Sequence, residues 1–339
     1  MSARSAELLH VSLYSAVGYN KKKMSRKHQI LELCDKVHRD LKLAGLPTDG
    51  CATDGTEHSS IAAMWSSELG FGPMAPPAGG NEATGTTTPP EKIGDKSPKA
   101  RPQSTKPASS NSIGGGGGGG AVQWYERAYD YWEDSDNCPV DDDGVLGGYG
   151  HISPTDIAGS AAFLDELKSM RPLLGDETAA DCGAGIGRVT KHLLLDRFDA
   201  VDIVEQSPRL IQAAPKYVGR DRDRTTCVCV GLQDFFPPED SYDLLWIQWV
   251  VGHFTDVDLL KLLARCRSAL RKGGLIVIKD NVIGEGEGAF KVDSEDSSMT
   301  RSLGYFRSLF NHGGVRVVHQ TRQDGFPGEL FPVYMFALE

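Results

Sequence analysis

AADCGAGIGRVT, residues 179–190, sets three glycines within five residues, between an acid, Asp181, and a base, Arg188. A short strand is expected to end at Asp181 and a helix to begin near Gly187, which makes the glycines the first strand-to-helix turn of an α/β sheet. In such a sheet that turn lines the ligand site, beyond the carboxyl ends of the strands where strand order reverses. Phosphate-binding readings fail on spacing. A GxGxxG fingerprint counted from Gly183 and Gly185 needs its third glycine where Arg188 stands, and the GxxxxGK[ST] phosphate loop is absent. Charge agrees with spacing, because Asp181 would aim a carboxylate at a pyrophosphate.

A phosphate-free cofactor removes the conflict. S-adenosyl-L-methionine carries a sulfonium, an α-ammonium and an α-carboxylate, so Asp181 can accept from the ammonium while Arg188 forks onto the carboxylate. Gly183 and Gly185 let the backbone come close. Glu205 ends the next expected strand about 20 residues beyond the glycines, the place from which an acid accepts ribose hydroxyls. GLQD at 231–234 ends a third strand and flanks the adenine.

Beyond the turn, strand and helix signals alternate: a helix over 187–198, a strand over 200–205, a helix over 207–218, and strands over 225–232 and 242–250. A helix over 256–271, closed by Gly273 and Gly274, leads into the buried strand LIVIKDN at 275–281. A helix near 297–310 precedes two β-rich runs, 315–321 and 330–338, too close together for a parallel return and therefore antiparallel. Before the turn, helices are expected over 122–132 and 154–170, the second with Ser153 as N-cap and Pro154 in its first turn. The fold class is α/β, a class I SAM-dependent methyltransferase: a Rossmann-like, seven-stranded, mostly parallel sheet with an antiparallel last strand and two extra N-terminal helices.

Composition divides the chain. Residues 71–121 are crowded with Pro, Gly, Ser and Thr and end in seven glycines at 114–120, so a flexible linker is expected there, with the catalytic domain over 122–339. Within 1–70, Ile30, Leu33, Cys34, Val37 and Leu41 recur at helical spacing over 27–44, and a second short helix follows near 61–69. Two short helices make a poor core, so this extension either docks on the following domain or binds a partner. KKKMSRK at 21–27 has the composition of a nuclear address. The net charge of -10 is uneven: residues 1–122 hold 14 Lys+Arg against 11 Asp+Glu, and the remainder 22 against 35. That acidic field repels nucleic acid and favours a cationic substrate. Seven cysteines without a CxxC pair fit a reduced protein of the cytoplasm or nucleus with no zinc site. No apolar run reaches the roughly 18 residues that read as a membrane span, and the basic residues follow the N-terminal apolar stretch rather than precede it, the reverse of a secretory signal.

YW at 131–132, GVLGGYGHIS at 144–153, DCGAGIGR at 181–188, CVGLQDF at 229–235, SYDLLWIQWVVGHFTD at 241–256, IVIKDN at 276–281, DSSMTR at 296–301 and VYMFAL at 333–338 run in order toward the C-terminus. Together they resemble the eukaryotic protein N-terminal methyltransferases, with nothing comparable before Trp124. The resemblance implies methylation of the α-amine of proteins that begin X-Pro-Lys after methionine removal, with such N-terminal tails as partners. It implies that His253 and Asp296 hold the base positions and that Asn281 holds the first peptide unit. Trp132 then packs on the proline at the second position, Asp293 and Ser298 take the ammonium of the lysine at the third, and Gly147 and Ile152 shape the channel wall. Gln248 and Trp249 close over the cofactor, and Leu232 and Gln233 lie beside its adenine. The chemistry suits an α-amine, which attacks only when neutral and has a reference pKa of about 8 against about 10.4 for lysine. A modest base suffices, since aligning two bound reactants contributes most of the rate.

Three features depart from the family. EDSDNCPVDDD at 133–143 is longer and more acidic than usual, which loosens the placing of Trp132; Phe331 stands where a tyrosine is common; and Glu205 replaces the more usual aspartate. The rival enzyme reading is a methyltransferase acting on a lysine side chain or a small-molecule amine. Against a non-catalytic binding module stand the intact DCGAGIGR, Glu205, His253 and Asp296. A nucleic-acid adenine methyltransferase is disfavoured by IQWV in place of an Asn/Asp-Pro-Pro-aromatic clamp and by the acidic domain.

Overall fold

A computed structural model describes residues 25–71 and 119–339 of the chain. It opens with α1 (Arg26–Leu43), β1 (Gly50–Ala52), β2 (Glu57–His58) and α2 (Ile61–Glu68), and resumes with α3 (Gly119–Glu133), α4 (Asp142–Val145) and α5 (Ser153–Met170). The alternating part follows: β3 (Thr178–Cys182), β4 (Ala200–Glu205), α6 (Pro208–Val218), β5 (Thr225–Cys229), β6 (Tyr242–Gln248), α7 (Asp256–Ala269) and β7 (Leu270–Ile283). The chain then runs through β8 (Phe290–Asp293), β9 (Ser298–Ser302), α8 (Leu303–His312), β10 (Val317–Arg322) and β11 (Val333–Leu338).

Seven strands form the expected sheet, in the order β5-β4-β3-β6-β7-β11-β10. The first five are mutually parallel, and β11 runs antiparallel to both β7 and β10. Strand order reverses at β3, which has β4 on one side and β6 on the other, so the glycine turn opens at the switch point. The sheet is larger than seven strands, however. The carboxyl end of β7 pairs at Val282 and Ile283 with β9, β9 with β8, β8 with β1 and β1 with β2, giving 11 strands among the described residues. The helix expected over 297–310 is correspondingly two elements, β9 and then α8, whose N-cap Ser302 accepts from the Tyr305 amide.

The strands alternate between two cores. Leu245, Ile247, Ile276 and Ile278 face one; Leu244, Trp246, Leu275 and Val277 face the other, against Phe163, Leu164 and Leu167 of α5. All seven residues of β6 are buried, as a parallel strand covered on both faces requires. The N-terminal segment is built into the first core. Ser25 caps α1, and the apolar stripe Ile30, Leu33, Cys34, Val37 and Leu41 packs with α7 and α8 residues, each such side chain contributing about 1.5–3 kcal/mol. The linker expected over 71–121 falls, apart from its ends, outside the described residues, as do the first four residues of the basic run at 21–27. Those ends meet: a Cβ on Gly120 would lie 1.7 Å from the Leu69 carbonyl oxygen, so α3 starts where α2 stops.

Candidate active site

The turn after β3 carries Gly183, Gly185 and Gly187 at φ 76°, 57° and 80°, the left-handed region that favours glycine. A Cβ on Gly183 would come within 2.9 Å of Val250, and one on Gly185 within 3.0 Å of Val145. The turn therefore leaves its floor open as the base of a cavity. Asp181, Gly183, Gly185, Arg188, Glu205, Leu232, Gln233, Gln248 and Trp249, the residues expected around a cofactor, line this one cavity together. Tyr125 and Ala128, which lie outside the quoted motifs, also line it.

Its carboxylates are held from behind. Asp181 Oδ2 accepts from the Thr190 amide (2.9 Å) and hydroxyl (2.7 Å), and burial pushes this acid up to about 6. Glu205 accepts from the Gly185 amide with one oxygen (2.9 Å) and the Ser207 amide with the other (2.8 Å); burial raises it too, against those backbone bonds. Asp181 keeps its Oδ1, and each Glu205 oxygen a second lone pair, for a ligand. Arg265 donates to the carbonyls of Leu232, Gln233 and Phe235, which fixes the loop after β5.

Two expectations need correcting. Ser153 does not cap α5: the N-cap is Ile152, without a side-chain bond, and the Ser153 hydroxyl accepts from Arg188 at 3.2 Å. The Arg188 fork is in turn not wholly free for a ligand, because its second terminal nitrogen donates to Asp156 at 2.7 Å. Asp156 is the centre of a network that sequence reasoning missed. It takes Lys279 at 2.6 Å and the Gln248 amide at 3.0 Å. Lys279 also donates to Ser160 (2.9 Å) and Gln323 (2.7 Å). Burial brings Lys279 down to about 8; burial raises Asp156, but Lys279 and Arg188 outweigh it and hold the carboxyl below its usual range.

A second cavity adjoins the first. His253, Asp296, Asn281, Trp132, Gly147, Ile152 and Ser298 all line it, and Trp132, Val145, Trp249 and His253 line both cavities. These four form the partition between the two cavities. Trp249 stands there at φ 52°, a strained setting for a non-glycine residue, with Arg188 5.8 Å from its ring centroid and Phe326 stacked on it at 6.4 Å. The His253 turn is clamped: Arg301 donates to the carbonyls of Val251 (3.1 Å) and Phe254 (2.8 Å), and Trp124 donates to the His253 carbonyl (2.7 Å). The buried Oδ1 of Asp296 has no hydrogen-bond partner. Burial raises the Asp296 carboxyl against the pull of His253 and Ser298.

Asp293 is the expected residue that the structure does not bring into the cavity lining; it pairs with Ser298 across the β8–β9 hairpin and accepts from the Glu295 amide. The acidic loop is thus a hairpin turn, with Asp296 turned inward. Asp280 was missed: it lines the second cavity, accepts from the Asn281 and Val251 amides, and is lifted by burial to about 6. Its signal was a charged pair, Lys279-Asp280, inside the apolar run IVIKDN.

Comparisons with known proteins bear on the same residues. A family model described as AdoMet dependent proline di-methyltransferase matches residues 120–339. N-terminal Xaa-Pro-Lys N-methyltransferase 1-B of Xenopus laevis is 43% identical over 219 residues, 64% of this chain and 96% of the relative. N-terminal Xaa-Pro-Lys N-methyltransferase 1 of Homo sapiens is 44% identical over 218 residues, 64% of this chain and 95% of the relative. Among solved structures, a SAM-dependent methyltransferase from Leishmania major superposes with a TM-score of 0.66 at 31% identity, covering 87% of this chain and 97% of its own.

Proposed function

The chain belongs to the AdoMet dependent proline di-methyltransferase family, and from that premise we propose that it methylates the free α-amine of protein N-termini that begin X-Pro-Lys. Relatives identical to it at over two fifths of the aligned positions carry that substrate in their names. The observation that carries the reading is Asp296: an orphaned, buried carboxylate oxygen in the cavity that adjoins the cofactor cavity through His253 and Trp132.

The first cavity fits the cofactor. A Cβ on Gly183 or Gly185 would press on Val250 or Val145 in its wall, its two acids suit an ammonium and a ribose, and neither tolerates a phosphate. When bound, the cofactor supplies a sulfonium methyl, on which the amine lone pair forms the N–C bond as the C–S electron pair returns to sulfur. The protein's own residues do the rest. Asn281 and the Trp132 indole hold the first peptide unit and the proline, Ser298 and the nearby Asp293 receive the lysine ammonium, and the Trp249 ring closes the partition. Asp296 takes the proton released by the amine, with His253 beside it as a second acceptor. An α-amine costs about one to two kcal/mol to deprotonate at neutral pH and a lysine side chain several, so so mild a pair of bases selects the terminus.

Incubation with Ser-Pro-Lys peptides, free or acetylated at the N-terminus, tests this reading. Methyl incorporation is expected in the free peptide and not in the acetylated one; equal incorporation points to the lysine side chain instead.

The Asp181 carboxylate adds a pH dependence. Lifted to about 6, it is charged above that pH and neutral below, so its attraction for the cofactor ammonium is present at pH 7 and lost as pH falls. The cofactor KM is expected to rise about tenfold between pH 7 and pH 5, with the rise blunted in Asp181→Asn. A KM that stays constant across this interval contradicts the assignment.

A further inference from the structure

We propose that Trp132 is a positioning residue for His253: its indole N–H caps the imidazole until a proline at the second position of the substrate moves the indole away. The inference rests on the reading above and concerns what neither the family match nor the relatives address, how the proline requirement is turned into a catalytic one.

Hydrogen-bond arithmetic fixes the starting state. Trp132 Nε1 lies 3.1 Å from His253 Nε2, and an indole nitrogen only donates, so Nε2 is the acceptor. His253 Nδ1 lies 3.1 Å from the Ser297 carbonyl oxygen, which only accepts, so Nδ1 carries the proton. His253 is then a neutral imidazole whose one basic lone pair is occupied, and as seated it has no place for another proton. Asp296, by contrast, has a buried Oδ1 without a hydrogen-bond partner.

Of the two rings, the indole is the less tethered by hydrogen bonds, although it packs beside Cys138, Ile186 and Leu210 and edge-on to Tyr131. The His253 ring is tied through Nδ1, its own carbonyl takes the Trp124 N–H, and Arg301 fixes the carbonyls on either side. Trp132 is anchored through its backbone, where Arg209 donates to its carbonyl at 2.8 Å, while the half-buried side chain meets His253 edge to face, with ring centroids 6.0 Å apart and planes at 84°. It faces both cavities, so an apolar ring arriving in the second one presses on the indole face. Proline brings such a ring and no N–H of its own; alanine does not. The displaced indole N–H has water or the first peptide carbonyl to donate to, and Nε2 is released beside Asp296.

Two measurements on the full chain test this. In protein labelled with 15N at tryptophan, the Trp132 indole signal, identified by its loss in Trp132→Phe, is expected to shift when Ser-Pro-Lys peptide and S-adenosylhomocysteine are added together, and to stay in place with Ser-Ala-Lys at equal occupancy. In Trp132→Phe, which keeps an aromatic face but has no N–H, the preference in kcat/KM for Ser-Pro-Lys over Ser-Ala-Lys is expected to fall roughly tenfold, the weight of about one hydrogen bond, through a gain in kcat on the alanine peptide. A role confined to packing on the proline would lower the preference through a loss on Ser-Pro-Lys and leave kcat on Ser-Ala-Lys without a gain, an outcome that also overturns the proposal. An indole signal that stays in place at saturating Ser-Pro-Lys, or an unchanged preference, overturns the proposal. Wild-type activity on Ser-Pro-Lys is run alongside: its absence sinks the underlying reading, whereas a stationary indole in an active enzyme sinks the cap alone.

Discussion

Asp296→Asn is expected to lower kcat on a Ser-Pro-Lys peptide by about a hundredfold, the lower end of what a positioned general base contributes. The substitution keeps the shape of the side chain and removes the charge. Its target is the carboxylate of a residue that lines the cavity with Asn281 and Ser298 and whose buried Oδ1 makes no hydrogen bond within the protein. With the carboxylate gone, the remaining acceptor is His253, the second of the two bases that line the cavity. The defect has a signature that a folding defect lacks. As the pH is raised above about 8, where the α-amine is neutral in solution, the need for a base fades and the variant recovers part of the loss relative to wild type. A single-turnover rate within threefold of wild type at neutral pH would show that Asp296 does not take the proton.

Lys279→Met is expected to destabilise the fold by about 3–5 kcal/mol, because it strips several buried acceptors of their donor at about 1–3 kcal/mol each, while Asp156 keeps Arg188 as its ion-pair partner. Lys279 and Asp156 are both 0% exposed at the side chain. The loss would strand the Ser160 hydroxyl, the Gln323 amide oxygen and the Asp156 backbone carbonyl together. In a domain of this size that corresponds to a fall in Tm of roughly 10 °C, readable by thermal melting. Adding Asp156→Leu does not rescue the protein, since Arg188 then loses its own buried partner and the Gln248 amide loses its acceptor. A Tm within 2 °C of wild type would contradict this description of the network.

What was legible in the sequence follows from distance along the chain. The glycine turn, its flanking acids and the alternation of strands and helices depend on residues a few positions apart, and each appears in the sheet where the motifs put it. The β8–β9 hairpin was hidden because strands of 4 and 5 residues show too little alternation to be told from a loop, and the acidic turn between them reads as solvated chain. The same holds for β1 and β2, at 3 and 2 residues, which gain their meaning by adding to β8. The Asp156–Lys279 pair joins side chains 123 positions apart; a lysine inside IVIKDN signals that some acid must answer it, but not which. Trp132 was placed in the substrate groove through the family likeness, while its bond to His253 depends on the packing of α3 against the turn after β6 and has no local trace.

The account rests on where the methyl group goes. Tandem mass spectrometry of a Ser-Pro-Lys peptide after incubation with the full chain and S-adenosyl-L-methionine reads that position directly: added methyl mass is predicted on the fragment containing the N-terminal serine alone. Added mass confined to the lysine-containing fragment, with the serine unmodified, would contradict it.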